Sequence, residues 1–95
     1  MIGGLSEIKS ADTDTQSLID KVKNIFFDKF YSSNTFELDS YKTQVVNGTN
    51  YFVKVKTDTE YVHLRIHKSL PCNSEEVTYV NQQLKKNKAD EITYF

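Results

Sequence analysis

Residues 44–51, with the sequence QVVNGTNY, join two segments rich in β-branched and aromatic residues and predict a tight hairpin turn. A turn normally carries polar residues, because it faces water and must satisfy its own backbone hydrogen bonds. Here two adjacent valines, Val45 and Val46, fall at the predicted tip. Apolar side chains in that position indicate that another molecule covers them.

Length and composition indicate a single globular domain over residues 1–95. Hydrophobic residues make up 38% of the chain and charged residues 26%, a balance typical of a folded domain. Aromatic residues reach 13% without any Trp, so Phe and Tyr must supply much of the core.

The charge balance argues against nucleic acid and membrane partners. Twelve basic residues face thirteen acidic ones, and a net charge of −1 creates no field that gathers polyanions or anionic lipid. Lys54 and Lys56 alternate with aromatic residues, which we interpret as a solvated strand face and not as a base-stacking surface. No segment approaches the ~20 apolar residues of a membrane-spanning helix.

Cysteine usage and the first residues predict a cytosolic protein. Ser6, Glu7 and Lys9 interrupt the start of the chain before an apolar run forms, so we expect no signal peptide. Cys72 is the single cysteine and cannot form an internal disulfide, whereas a secreted domain of this size usually carries several.

A helix is predicted from the polar start at residues 12–14 to about Phe30, with Thr13 and Gln16 spaced as a capping box. At ~100° per residue its apolar side chains share one arc of roughly 140°, which should be buried. These residues are Leu18, Ile19, Val22, Ile25, Phe26 and Phe30. Phe27 falls outside the arc and should fill an edge of the core.

The rest of the chain predicts strands joined by short connections. The expected strands cover residues 35–46, with a bulge near Asp39-Ser40, and residues 49–56, 61–70 and 77–84. A turn is expected at 58–60 and a longer connection at 71–76. Short connections make neighbouring strands antiparallel. One helix on an antiparallel sheet with one apolar face predicts a two-layer α+β domain.

Candidate catalytic and metal-binding residues are few. His63 and His67 are four residues apart, which on a strand separates them by about 13 Å, too far to share an ion. We interpret both as solvent-facing. Cys72 is a loop thiol with no sequence context that supplies a base. We therefore predict neither an enzyme nor a cofactor or metal site.

Strand parity brings two of three unusual segments together. These segments are the tail Ile2-Gly3-Gly4, the hairpin 44–48 and Leu70-Pro71. If the strands pair in sequence order, the chain crosses the sheet once over 49–56 and returns over 61–70. The loops after Val46 and Leu70 then lie side by side at one end of the sheet.

Together these segments resemble a stefin, a single-domain cystatin that lacks disulfides. The loop 44–48 is similar to the Gln-x-Val-x-Gly loop of the cystatins, and the resemblance extends over nearly all 95 residues. Its other motifs are residues 19–23 (IDKVK), 41–43 (YKT), 48–51 (GTNY), 68–71 (KSLP), 87–88 (NK) and 90–91 (DE).

The resemblance implies a five-stranded antiparallel sheet wrapped around the helix, with the tail as an additional strand. It also implies reversible, tight inhibition of papain-like cysteine proteases such as cathepsins, with the tail and two loops filling the active-site cleft. The protease-binding residues implied are Ile2, Gly3, Gly4, Gln44, Val45, Val46, Asn47, Gly48, Leu70 and Pro71.

Three features leave alternatives open. Asn47 stands where the family often has Ala, and Asn-Gly is itself a favoured hairpin turn, which explains these two residues but not the valines. The short tail and Asn47 also fit a cystatin-fold binding module that has lost inhibition. A monomer is expected. An oxidised dimer, which Cys72 allows, or a domain-swapped dimer is the alternative.

Overall fold

A computed structural model describes residues 4–70 and 76–95. Its elements are β1 (Lys9–Ser10), α1 (Thr13–Lys29), β2 (Glu37–Val46), β3 (Gly48–Lys56), β4 (Tyr61–Lys68) and β5 (Val77–Lys86). The five strands form one sheet in the order β1-β2-β3-β4-β5, and every neighbouring pair is antiparallel. The predicted fold class, one helix on a five-stranded antiparallel sheet, is confirmed, and Lys9–Ser10, after the tail, form the short edge strand β1.

The N-terminus of α1 differs from the prediction. Asp12 is the N-cap, and its Oδ1 accepts a hydrogen bond from the backbone nitrogen of Thr15 at 2.7 Å. Its Oδ2 accepts a second bond from the Tyr41 hydroxyl of β2, and this bond is the main reason that the pKa of Asp12 lies below 3.8. The capping box between Thr13 and Gln16 is therefore wrong, because a carboxylate one residue earlier caps the helix and also joins it to the sheet.

Gln16 joins α1 to β2 instead. Its Nε2 donates to the carbonyl oxygen of Phe36 at 3.2 Å, and its Oε1 accepts from the backbone nitrogen of Leu38 at 2.9 Å. Both backbone groups lie where β2 begins, so one amide side chain satisfies a donor and an acceptor there.

The core lies between α1 and one face of the sheet. From the helix, the buried apolar residues are Leu18, Ile19, Val22 and Phe26, and from the sheet they include Val53, Val55, Val62, Leu64 and Ile66. Phe27 packs against the core from its edge, as predicted. Ile25 and Phe30 are 45% and 36% exposed, so their predicted burial is wrong. They occupy the two margins of the predicted arc, and the sheet covers only its centre.

The strand boundaries follow the prediction closely. The register of β2 with β3 shifts between Leu38 and Ser40, which confirms the bulge at Asp39-Ser40. The turn between β3 and β4 closes with a 2.9 Å bond from the backbone nitrogen of Thr57 to the carbonyl oxygen of Glu60. β5 runs two residues beyond the predicted end at 84. Most of the predicted connection at 71–76 lies outside the described residues.

The sheet has one apolar face, as expected, but its second face is partly covered by residues 87–95 instead of being open to solvent. Ile92 and Phe52 are fully buried there, and the rings of Tyr94 and Phe95 each lie 5.6 Å from the ring of Phe52. This covering segment, residues 87–95, is distant in sequence from β3, on which it packs.

Two residues predicted to face solvent are buried beneath that segment. His63 is fully buried, and Lys54 is only 4% exposed. The Lys54 ammonium donates to the carbonyl oxygens of Lys88 and Asp90, so its charge is solvated by backbone instead of water. Lys56, the other residue of the predicted polar face, is exposed.

Among residues 4–70 and 76–95, no helix has both the length and the apolar character needed to cross a bilayer.

Candidate functional site

The loop after β2 and the loop after β4 lie side by side, as strand parity predicted. β3 begins at Gly48, β4 ends at Lys68, and Thr49 is the register partner of Lys68. We use the term loop edge for this end of the sheet, which comprises residues 44–48 and residues 69–70.

Gly48 is the point of closest approach between the two loops. Its φ of +91° lies in the left-handed region. A Cβ on this residue would lie 2.4 Å from the Lys68 carbonyl oxygen and 3.2 Å from the Cα of Ser69. Both conformation and space therefore require glycine here, and the first loop is pressed directly onto the second.

The hairpin tip is not the common two-residue Asn-Gly turn. Strand pairing continues to Val46 and Gly48, with Asn47 alone between them. A type I′ turn needs positive φ at both central residues, and within the described ranges Lys85 is the only non-glycine residue with positive φ. The Asn-Gly alternative therefore does not explain this tip.

Both loops present apolar side chains to solvent. Val45 is 75% exposed and Leu70 is 40% exposed, whereas Val46 is half-buried. Asn47 is exposed between the valines and Gly48. Val45 is thus the main apolar group of the tip, a distinction between the two valines that the sequence did not reveal.

Gln44 supports the hairpin from within. It is 4% exposed and its Oε1 accepts a 3.0 Å hydrogen bond from Nδ2 of Asn50, its register partner on β3. This cross-strand pair lies below the tip, so Gln44 shapes the hairpin and does not present its side chain to solvent.

The tail runs along β2 toward the loop edge. The backbone nitrogen of Ser6 donates to the carbonyl oxygen of Thr43 at 2.8 Å, and the Thr43 nitrogen donates to Oγ of Ser6 at 2.9 Å. Gly4, two residues before Ser6, lies within about 7 Å of it and is exposed, and a Cβ there would meet no atom within 4 Å. The predicted site residues Ile2, Gly3 and Pro71 lie outside the described residues.

His67 belongs to this edge, although it was predicted to be solvent-facing with no role. It is half-buried, and its Nε2 lies 2.7 Å from the carbonyl oxygen of Asn47. No periodicity signal marks it. Strand parity could have found it, since it lies one residue before the end of β4, beside the tip.

The loop edge presents the aliphatic side chains of Val45 and Leu70 and the exposed Asn47 to solvent, a surface suited to binding. Within the part of the chain that the structure describes, no group of three or more His, Cys, Asp or Glu residues could hold a metal ion.

A cystatin domain model matches residues 3–92 of the chain. The chain belongs to the cystatin family. This cystatin is 45% identical to human cystatin-A over 98% of its own length and 97% of that relative. It is 41% identical to human cystatin-B over 100% of its length and 99% of that protein. Cystatin-A2 of Dictyostelium discoideum is 43% identical over 99% of the chain and 97% of that protein.

Cystatin-A and cystatin-B are stefins, so the resemblance to stefins is confirmed. The comparisons cover the tail from residue 3, both loops of the loop edge and the segment that covers the second face. The family assignment therefore applies to the whole candidate site and not only to the hairpin 44–48.

Proposed function

We propose that this cystatin inhibits papain-like cysteine proteases reversibly, by inserting the tail and the loop edge into the active-site cleft. Members of the cystatin family are cysteine protease inhibitors and not enzymes. The observation that supports the mode of binding is the exposed Val45 on a tip that is packed against the Leu70 loop.

The apolar groups of the edge supply the affinity in this proposal. Val45 and Leu70 lose their contact with water on entering a cleft, and burial of apolar surface contributes about 25 cal/mol per Å². The hairpin is already held by Gly48 and by the pair of Gln44 with Asn50, so little conformational entropy is lost on binding.

The remaining site residues contribute through shape. Gly3 and Gly4 allow the tail to pass close to the protease backbone, since no side chain blocks the approach. Ile2 enters an apolar subsite on the other side of the catalytic thiol from Val46 and Asn47. Pro71 stiffens the second loop next to Leu70.

The mode of inhibition follows from the chemistry of the edge. A hairpin tip offers no extended peptide to cleave, and the exposed side chains of this tip, Val45 and Asn47, are not nucleophiles. The complex is therefore non-covalent and competitive with substrate. A serine protease has a cleft of different shape and is not inhibited.

The proposal is tested by titrating activated papain with the purified chain, with trypsin as the matched protease control. We expect competitive inhibition of papain, recovery of activity on dilution, and no effect on trypsin. A covalent adduct or equal inhibition of trypsin would contradict the proposed mode. A folded chain that leaves papain fully active would support the alternative, a cystatin-fold binding module without inhibition.

We further propose that the physiological targets are cathepsins, that the chain acts in the cytosol, and that it is a monomer. The single cysteine supports a reducing compartment. Inhibition constants against a panel of purified cathepsins test the first statement, cell fractionation the second and analytical ultracentrifugation the third.

A further inference from the structure

His67 connects the two loops of the edge through one contact. The carbonyl oxygen of Asn47 can only accept a hydrogen bond, so the proton between the two atoms belongs to Nε2 of His67, at 2.7 Å. The imidazole is anchored on β4, whose register pairs His67 with Asn50 on β3 and with Thr78 on β5. A side chain near the end of β4 therefore holds the backbone of the tip.

The same ring packs against the glycine that allows the loops to meet. A Cβ on Gly48 would lie 3.0 Å from Nε2 of His67. One residue after β4, the backbone nitrogen of Ser69 donates to the carbonyl oxygen of Glu76 at 2.9 Å. Glu76 is the residue before β5, so this bond extends the pairing of β4 with β5. His67 thus lies at the junction between the first hairpin and the second loop.

We propose that His67 is a positioning residue of the inhibitory edge, which holds the Asn47 tip against the second loop so that both enter the protease cleft as one rigid unit. This inference rests on the proposed function. Without the hydrogen bond, the tip backbone gains freedom that must be lost again in the complex, which shortens the lifetime of the complex.

Two amide substitutions separate the hydrogen bond from the remainder of the side chain. In His67→Gln the amide nitrogen lies near the position of Nε2 and can still donate to the Asn47 carbonyl. In His67→Asn the amide nitrogen lies near the position of Nδ1 and falls short of it. Both replacements are uncharged, so they differ chiefly in reach.

The experiment compares dissociation rates from papain and the exchange rates of tip amides in the free protein. A net hydrogen bond corresponds to about a threefold to tenfold change in an equilibrium. We expect His67→Asn to dissociate about threefold to tenfold faster than wild type, and His67→Gln to dissociate at nearly the wild-type rate. Hydrogen exchange near Asn47 should accelerate in His67→Asn, while amides in the middle of β3 stay protected.

The outcomes distinguish this inference from the proposed function. If wild type inhibits papain but His67→Asn dissociates at the wild-type rate, the positioning role is wrong and the inhibition stands. If both variants dissociate faster than wild type and at the same rate as each other, the imidazole ring is needed and the hydrogen bond is not, so the proposal is wrong. If wild type leaves papain active, the proposed function fails. In that case, unchanged amide hydrogen exchange near Asn47 in His67→Asn would show that His67 does not hold the tip either.

Discussion

His63 on β4 lies directly opposite Gln83 on β5, yet among the described residues neither ring nitrogen of His63 nor Oε1 of Gln83 makes a hydrogen bond of good geometry. His63 is fully buried. Burial, followed by the charges of Lys54 and Lys86, lowers the pKa of His63 from 6.5 to about 4, and the charge of Asp90 and a side-chain interaction with Gln83 oppose this only in part. The buried imidazole is thus neutral at physiological pH.

This burial predicts a loss of stability in mild acid. Below pH 6.5 the unfolded chain binds a proton at His63, whereas the folded chain binds it only below about pH 4. The unfolded state therefore holds more protons between these values, and the free energy of unfolding falls as the pH falls from 6.5 to 4. The full loss is about 3 kcal/mol.

Denaturant melts at several pH values test this against His63→Leu, which cannot titrate. We expect the variant to lose much less stability than wild type between pH 6.5 and 4. Asp12 and Asp58, whose pKa values are lowered by hydrogen bonds, affect stability only below about pH 4 and do not disturb the window. Equal pH slopes in the two proteins would contradict the prediction.

Val45→Asp should abolish most of the inhibition and leave stability unchanged. The side chain is 75% exposed in the free protein, where surface substitutions usually change stability by less than about 0.5 kcal/mol. In the complex the carboxylate would be buried without a partner, which typically costs 2 kcal/mol or more, or about thirtyfold in affinity. Val45→Thr, of similar shape, is the matched control.

Inhibition constants and thermal melts decide the result. The same change at Val46 should also lower the melting temperature, because that side chain is half-buried. A Val45→Asp protein that inhibits like wild type would show that the tip does not enter the cleft.

Deletion of residues 1–4 should accelerate dissociation from papain and spare the fold. Gly4 is exposed, and from residue 4 onward the first backbone hydrogen bond to β2 is made by Ser6. Stopped-flow measurement of the dissociation rate tests this, with Gly4→Ala as a milder variant. A Cβ at Gly4 meets nothing in the free protein, so an effect of Gly4→Ala would arise in the complex. An unchanged rate after the deletion would remove the tail from the site.

Gln16→Ala should destabilise the protein by about 2 kcal/mol, because it removes the hydrogen bonds to Asp20, Phe36 and Leu38 and leaves the backbone nitrogen of Leu38 without its acceptor. Ser17→Ala, one residue later on an exposed position of α1, should change stability by only a few tenths of a kcal/mol. Urea melts of both variants give the comparison. Equal midpoints would mean that the Gln16 contacts contribute nothing.

Oxidation at Cys72 should produce a disulfide-linked dimer that inhibits poorly. The residue lies outside the described residues, but it is two positions after Leu70 in the sequence, so a second chain attached there should obstruct the loop edge. Gel filtration and papain inhibition before and after mild oxidation test this, with Cys72→Ser as the control and a reductant to restore activity. A dimer with full inhibition would show that the thiol lies away from the protease.

Much of the site was predictable because it depends on local pattern and strand parity. The alternation over residues 49–56, the bulge at Asp39-Ser40 and the meeting of the two loops all follow from short-range rules. The capping box failed for a different reason. Asp12 is the N-cap instead of Thr13, and its carboxylate also accepts a hydrogen bond from Tyr41, which is distant in sequence.

By itself, the sequence determined the order of helix and strands, the antiparallel pairing and an apolar hairpin tip, since periodicity and turn chemistry are properties of neighbouring residues. Only the tertiary structure decided that residues 87–95 cover the second face, that Lys54 and His63 are buried, and that His67 holds Asn47. These features arise from contacts between residues that lie far apart in the chain, and a side chain's exposure depends on what the fold places over it.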